Sequence, residues 1–184
     1  HTPGVEVTTG PLGQGVSNAV GMAIAQKYLA ARYNKEAFPI FDYRIYVIAG
    51  DGCMQEGVSG EASSLAGHLG LDNLVVLYDD NHITIDGQTD LSFSEDVAAR
   101  YRAYGWHVIE IGGDGHDIDA LDKALDFAKA QSERPTLIKF RSLIGFGSPT
   151  MQGSSKVHGA PLGEEEIKLM KKQIGWDPGK TFYV

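Results

Sequence analysis

Two short segments carry residues whose types and spacing suit the binding of a charged cofactor: "GDGCMQEG" at 50–57 and "YDDNHITIDG" at 78–87. In the first, Asp51 stands between two glycines directly after an apolar run. A glycine at 50 permits a tight turn, and one at 52 lets backbone N–H groups approach an oxyanion closely. A carboxylate beside such a turn suits a hard divalent cation, because Mg2+ is commonly held by one or two carboxylates together with substrate phosphates. In the second segment Asn81 offers a neutral amide oxygen, again after an apolar run, and a nearby main-chain carbonyl could add another. With two diphosphate oxygens and a water, such a set completes an octahedron. The blander readings are a helix-capping Asp51 and a polar turn at "DDNH". Both stand until the two segments are tied together.

Alternating strands and helices are what would tie them. "RIYVIAG" (44–50), "NLVVLYDD" (73–80), "WHVIEIG" (106–112) and "TLIKFRS" (136–142) are short, rich in Val, Ile and Tyr, and bounded by Gly, Asp or Pro. Those are strand signals, and their near-continuous apolar character suits strands buried on both faces. Helices are expected from about Val16 to Tyr33, from Glu56 to about Gly70, over 94–105 with Ser94 as N-cap and acids in the first turn, and over 117–131. In the last of these Ile118, Leu121, Leu125 and Ala128 mark one helical face. A further helix in "GEEEIKLMKK" has its acids first and its lysines last, as the helix dipole prefers. Such alternation implies right-handed crossovers and an α/β, doubly wound parallel sheet with helices on both faces. Ligands of these sheets bind beyond the carboxyl ends of the strands. Asp51 and Asn81 both sit at such ends, so neighbouring strands would make one site natural. The Gly/Ser-rich stretch 145–163 reads as an active-site loop or a plain surface loop.

Other chemistries fail specific checks. No GxxxxGK[ST] phosphate loop occurs, and "GPLGQG" (10–15) is spaced GxxGxG, not the GxGxxG of a dinucleotide site. An EF-hand started at Asp79 would put Ile83 and Thr84 where an oxygen ligand and a glycine are needed. The single Cys53 has no CxxC companion for zinc and can form no internal disulfide, which fits a reducing, cytoplasmic setting. A net charge of -8 argues against a nucleic-acid partner, and no apolar stretch is long enough for a membrane span. The 184 residues, 42% of them hydrophobic and 22% charged, allow one ordinary domain with a real core.

Four stretches in order, "GVEVTTGPLGQGVSNAVGMAIAQ", "GDGCMQEGVSGEASSLAGHLGL", "YDDNHITIDG" and "IGFGSP…VHGAPLG", resemble the diphosphate-binding domain of transketolase through nearly all of 4–178. A GDG with an Asn some thirty residues on marks thiamine-diphosphate enzymes generally, whereas "TTGPLGQG" and "DDNHITIDG" narrow the likeness to transketolases. The resemblance implies a thiamine-diphosphate-binding fold spanning 1–184, truncated at both ends, with pyrimidine-binding and C-terminal domains absent. It implies that Asp51, Asn81 and the Ile83 carbonyl bind Mg2+ or Ca2+, which grips the diphosphate of thiamine diphosphate. Gly52 would lie against that diphosphate. Gly10 and Leu12 would line the aminopyrimidine and thiazolium region, and Ile144 would press on the thiazolium face. His158 would approach the diphosphate and the reacting sugar.

Glu56 and Glu61 read structurally as first-turn helix acids. By resemblance they belong to a carboxylate network that crosses a dimer interface toward the partner's cofactor. His1 is followed by Thr-Pro and lies too close to Gly4 to match the family's catalytic "GHP" histidine. That histidine is expected upstream of this segment. The chemistry implied is transfer of a two-carbon ketol unit from a ketose phosphate to an aldose phosphate, with the cofactor as electron sink. In this family the glutamate that activates the aminopyrimidine comes from the pyrimidine-binding domain of a second subunit. The segment alone is therefore expected to be inactive. The alternatives are a subunit of a split transketolase, or a related enzyme such as dihydroxyacetone synthase or 1-deoxyxylulose-5-phosphate synthase.

Overall fold

The structure is a computed structural model that describes residues 2–183; His1 and Val184 lie outside the described residues. The chain opens with helix α1 (Gln14–Tyr33), strand β1 (Ile45–Gly50), helices α2 (Asp51–Gln55) and α3 (Gly57–His68), and strand β2 (Leu74–Asp79). A short hairpin follows, β3 (Ile83–Thr84) and β4 (Gly87–Gln88), then α4 (Val97–Ala103), β5 (His107–Ile111), α5 (Ile118–Ala130), β6 (Thr136–Phe140) and α6 (Glu164–Gln173). The chain divides into two compact units, His1–Asp80 with Glu95–Arg141, and Asn81–Ser94 with Ser142–Val184.

The first unit is a parallel sheet of order β1-β2-β6-β5, wound with helices on both faces. Its central strands are near-continuously buried, as their composition requires: Leu74, Val75 and Val76 in β2, Leu137 and Ile138 in β6. α5 covers one face, where Ala124 and Ala128 pack on Val75 and Ile138 with Leu77, Ile109, Ile111, Leu121 and Leu125 around them. α1 packs along β1 and β2 and against α3. Small residues at its contact face (Ala19, Ala23) allow that approach.

Some expectations need correction. β1 is not buried on both faces: Tyr46 is 46% and Ile48 76% exposed, because β1 is an edge strand and α5 lies over β5 and β6. Ile118 is 72% exposed. It is the first residue of α5, and the helix meets the sheet only a turn later. The N-cap before α4 is Asp96, not Ser94: its Oδ1 accepts the Ala99 N–H at 3.0 Å. The acids expected in that first turn thus precede it, and Glu95 instead pairs with Arg100 at 2.8 Å.

The loop after α4 runs against α3. Trp106 is buried there and donates its indole N–H to the Ser63 carbonyl at 2.8 Å. A Cβ built on Gly67 would lie 1.9 Å from the Tyr104 carbonyl oxygen, so only glycine permits this approach.

In the second unit β3 and β4 pair antiparallel. Its Gly/Ser-rich loop is pinned to α6 by Glu166, whose carboxylate accepts the Ser148 hydroxyl and, at 2.9 Å, the Thr150 N–H. These bonds, Ser148's foremost, hold the Glu166 carboxyl below its ordinary range.

Two outcomes are expected. Gly67→Ala should destabilise the first unit by about 2 kcal/mol, since overpacking against backbone has no flexible neighbour to yield; denaturant unfolding with wild-type midpoint would contradict this. Glu166→Ala should speed hydrogen exchange at the Thr150 amide. Acidification should lower the protection factor of that amide, its rate taken relative to the intrinsic rate at each pH: the depressed carboxyl contributes fully above pH 4.5, its ordinary value, and the contribution is lost as pH falls through its lower folded value. Unchanged exchange in the variant would contradict the latch.

Candidate functional site

The parallel register pairs Gly50, at the end of β1, with Asp79, at the end of β2. The next residue on each strand is an aspartate, so Asp51 and Asp80 leave the sheet together at its carboxyl end. Both are buried, 2% and 6% exposed. Between them stands the Tyr78 hydroxyl, 2.7 Å from Asp51 Oδ1 and 3.1 Å from Asp80 Oδ1. Alternation along β2 puts Tyr78 and Asp80 on one face of the sheet, which is how one ring reaches both carboxylates. Burial, then the hydrogen bond and charge of Asp51 and the charge of Asp80, push the phenol far up its range, so it remains a proton donor. It has one proton for two acceptors, and the shorter contact is to Asp51. On the other side of Asp80, Oδ2 meets Lys139 Nζ at 3.4 Å and Arg141 Nη1 at 3.8 Å. Lys139 reaches it because β6 pairs Lys139 with Tyr78.

Asp51 is also the first residue of α2, a five-residue helix that sequence patterning alone did not separate from α3. The break is Glu56, extended at φ -76 and ψ 133. α2 is held from behind. Arg100 of α4 donates to the Met54 carbonyl at 2.7 Å, and the Tyr101 hydroxyl lies 3.4 Å from Met54 Sδ. Tyr101 in turn shares a 2.9 Å hydrogen bond with the Ser63 hydroxyl and stacks edge-on against Trp106 at 5.0 Å.

The loop before α1 rests on the same end of the sheet. A Cβ on Gly52 would meet the Leu12 side chain at 3.1 and 3.3 Å, so Leu12 lies directly over the glycine. Gly13 has φ 78, and its Cβ would fall 2.7 Å from Ser59 Oγ, which seats the loop on α3. Gly50 differs from the tight turn expected of it. It is extended at φ -94, and a Cβ there would meet no atom within 4 Å. The same open space surrounds Gly10. The fold itself therefore does not require glycine at either position.

The first unit thus brings Asp51, Gly52 and Leu12 together. Glu56 caps α3 without a side-chain cap bond, and Glu61 lies one turn in, both exposed, so neither is a first-turn acid. In the second unit Asn81 and Ile83 are joined directly: Asn81 Oδ1 accepts the Ile83 N–H at 2.9 Å. His82 between them is left-handed at φ 60, rare for a residue with a Cβ, and its carbonyl accepts the Thr89 N–H at 3.0 Å. Ile83 is buried. Ile144 is half-buried, with its carbonyl accepting the Gly153 N–H at 2.7 Å, and His158 is exposed after a short turn at Ser155–Val157. Sequence reasoning assigned no role to Tyr78, Asp80, Lys139 or Arg141. The spacing of Tyr78 and Asp80 was a usable signal; the β6 contribution was not, since it depends on strand order.

Among the described residues, no group of three or more His, Cys, Asp or Glu is placed to hold a metal, and no helix is long and apolar enough to cross a membrane. The family described as "Transketolase, thiamine diphosphate binding domain" matches residues 1–184. Transketolase 1 of Saccharomyces cerevisiae is 57% identical over 182 residues, 99% of this chain and 27% of that protein. The Nostoc sp. transketolase is 55% identical over 175 residues, 95% of this chain and 26% of its own length. The solved transketolase from Leishmania mexicana superposes with a TM-score of 0.93 at 55% identity, over 100% of this chain and 27% of that one. A Pichia stipitis transketolase crystallised with sedoheptulose 7-phosphate gives 0.93 at 54% identity over 99% of this chain and 27% of its own. This chain therefore spans about a quarter of the length of the relatives it matches. From the geometry at the sheet's carboxyl end and these matches along its whole length, the chain belongs to the transketolase family as its thiamine diphosphate binding domain.

Proposed function

We propose that this chain is the metal–diphosphate half of a transketolase active site. The reading makes 1–184 a diphosphate-binding domain within a longer enzyme that transfers a two-carbon ketol unit between sugar phosphates. One observation carries it: the buried Asp51 carboxylate, oriented by Tyr78 at the carboxyl end of β1 and flanked by glycines. Asp51 would ligate a divalent cation, Mg2+ or Ca2+, with the Asn81 side-chain oxygen and the Ile83 carbonyl completing the protein's share. The donor chemistry fits, because hard oxygen ligands are what these ions take. Among the described residues no group of three or more His, Cys, Asp or Glu is placed to hold an ion, so this reading gives neutral oxygens a share. The open space at Gly50 and Gly10 fits a bulky anionic ligand, since a side chain there would meet that ligand and not the fold.

Thiamine diphosphate, when bound, supplies the electron sink for cleaving and forming the ketol carbon–carbon bond. The chain's residues bind and orient it. Gly52, beneath Leu12, lets the backbone approach the diphosphate; Gly10 and Leu12 line the organic rings; Ile144 packs on the thiazolium. His158 approaches the diphosphate and the sugar. Glu56 and Glu61, exposed on and beside α3, face a second subunit whose pyrimidine-binding domain completes the site, making the working enzyme a homodimer. Its expected location is the cytoplasm.

Asp51→Ala in the intact enzyme should abolish metal-dependent cofactor binding, a loss of at least about a hundredfold as expected of a removed ligand that is also charged. Titration calorimetry showing wild-type cofactor affinity would overturn the assignment. The 184-residue chain by itself should bind metal and cofactor poorly and show no ketol transfer in a coupled assay. Robust turnover would contradict the half-site reading.

A further inference from the structure

We infer that Tyr78 is a positioning residue for the cation: its hydroxyl fixes the plane of the Asp51 carboxylate and keeps Asp80 from competing with it. This rests on the assignment of Asp51 as a metal ligand. A carboxylate on a short side chain can turn about its terminal bond, and a ligating oxygen must point at the ion within a narrow range. The 2.7 Å bond from the Tyr78 hydroxyl to Asp51 Oδ1 removes that freedom. The ring delivering it is itself locked, because Tyr78 is 2% exposed and lies in a central strand, paired with Ala49 on one side and Lys139 on the other. No rotation of Tyr78 is possible without opening the sheet's carboxyl end.

The second part of the inference concerns charge. Asp80 is a buried carboxylate one hydroxyl away from Asp51, and a divalent ion would be drawn to both. Asp80 is held on its far side by Lys139 at 3.4 Å and Arg141 at 3.8 Å, and on its near side it lies 3.1 Å from Tyr78. Those contacts direct Asp80 toward the protein's own cations. The hydroxyl is thus a neutral spacer between the two carboxylates, with its shorter contact to Asp51.

Partners that orient a metal ligand typically contribute ten- to a hundredfold in metal affinity. The test uses the intact enzyme carrying this chain, Tyr78→Phe, and a control, Tyr28→Phe. The control deletes another phenol of the same unit, one bonded to Arg32 on α1 at 3.0 Å and away from Asp51. Mg2+ and Ca2+ affinities are measured by calorimetry in the presence of thiamine diphosphate, with thermal unfolding of the metal-free protein alongside. Tyr78→Phe should weaken the metal about tenfold while Tyr28→Phe stays within about twofold of wild type. Wild-type metal affinity in Tyr78→Phe, or equal weakening in both variants, would overturn the inference. Asp51→Ala distinguishes the two levels. If it abolishes binding while Tyr78→Phe has none of the expected effect, the site stands and the role of Tyr78 falls; if it leaves binding intact, the site itself is wrong.

Discussion

The pairing of β1 with β2 is the constraint from which the rest follows. Their parallel register puts Gly50 opposite Asp79 and so brings the residues after each strand to one place. A shift of one residue would turn Tyr78 to the α5 face and separate the two aspartates. The register is held by apolar burial: Leu74, Val75 and Val76 are fully buried, and β2 lies between β1 and β6. A hydrophobic sheet therefore sets the geometry of a polar site.

Buried carboxylates oppose that arrangement. Removing Asp51 and Asp80 from water costs several kcal/mol each unless hydrogen bonds and opposite charges offset it. Tyr78, Lys139 and Arg141 supply part of that offset. The helices behind the site oppose distortion from the other side, since Arg100, Tyr101 and Trp106 join α2, α3 and α4. Under the proposed function, that cost keeps one of the two carboxylates, Asp51, in place for a divalent cation. The glycines add the complementary restriction: Gly13, at positive φ and crowded by Ser59, Glu56 and Val58, is required by its neighbours, and Gly52 lies close under the Leu12 side chain, whereas Gly50 and Gly10 are not required by the fold.

Much of this was legible in the sequence. Short β-branched runs separated by amphipathic or Ala-rich segments marked every strand of the sheet, and strand ends marked Asp51. What escaped depended on local competition or on tertiary order. Asp96 displaced Ser94 as N-cap because the helix starts later than its polar flank suggests. α2 was hidden because five residues cannot show a helical period. The exposure of Tyr46 and Ile48 could not be foreseen from apolar content, since only strand order makes β1 an edge. Tyr78 was written in the motif, yet its meaning required knowing that Asp51 would lie across the ladder from it. The left-handed turn at His82 carries only a weak residue signal, since histidine is enriched at positive φ but far less decisive than glycine.

The most direct test of the central claim is anomalous diffraction from crystals of the intact enzyme grown with thiamine diphosphate and Mn2+ in place of Mg2+. The account predicts a single strong peak within about 2.0–2.6 Å of an Asp51 carboxylate oxygen, the range for hard divalent cations on oxygen ligands. An ion bound elsewhere, with the cofactor in place and Asp51 unligated, would contradict it.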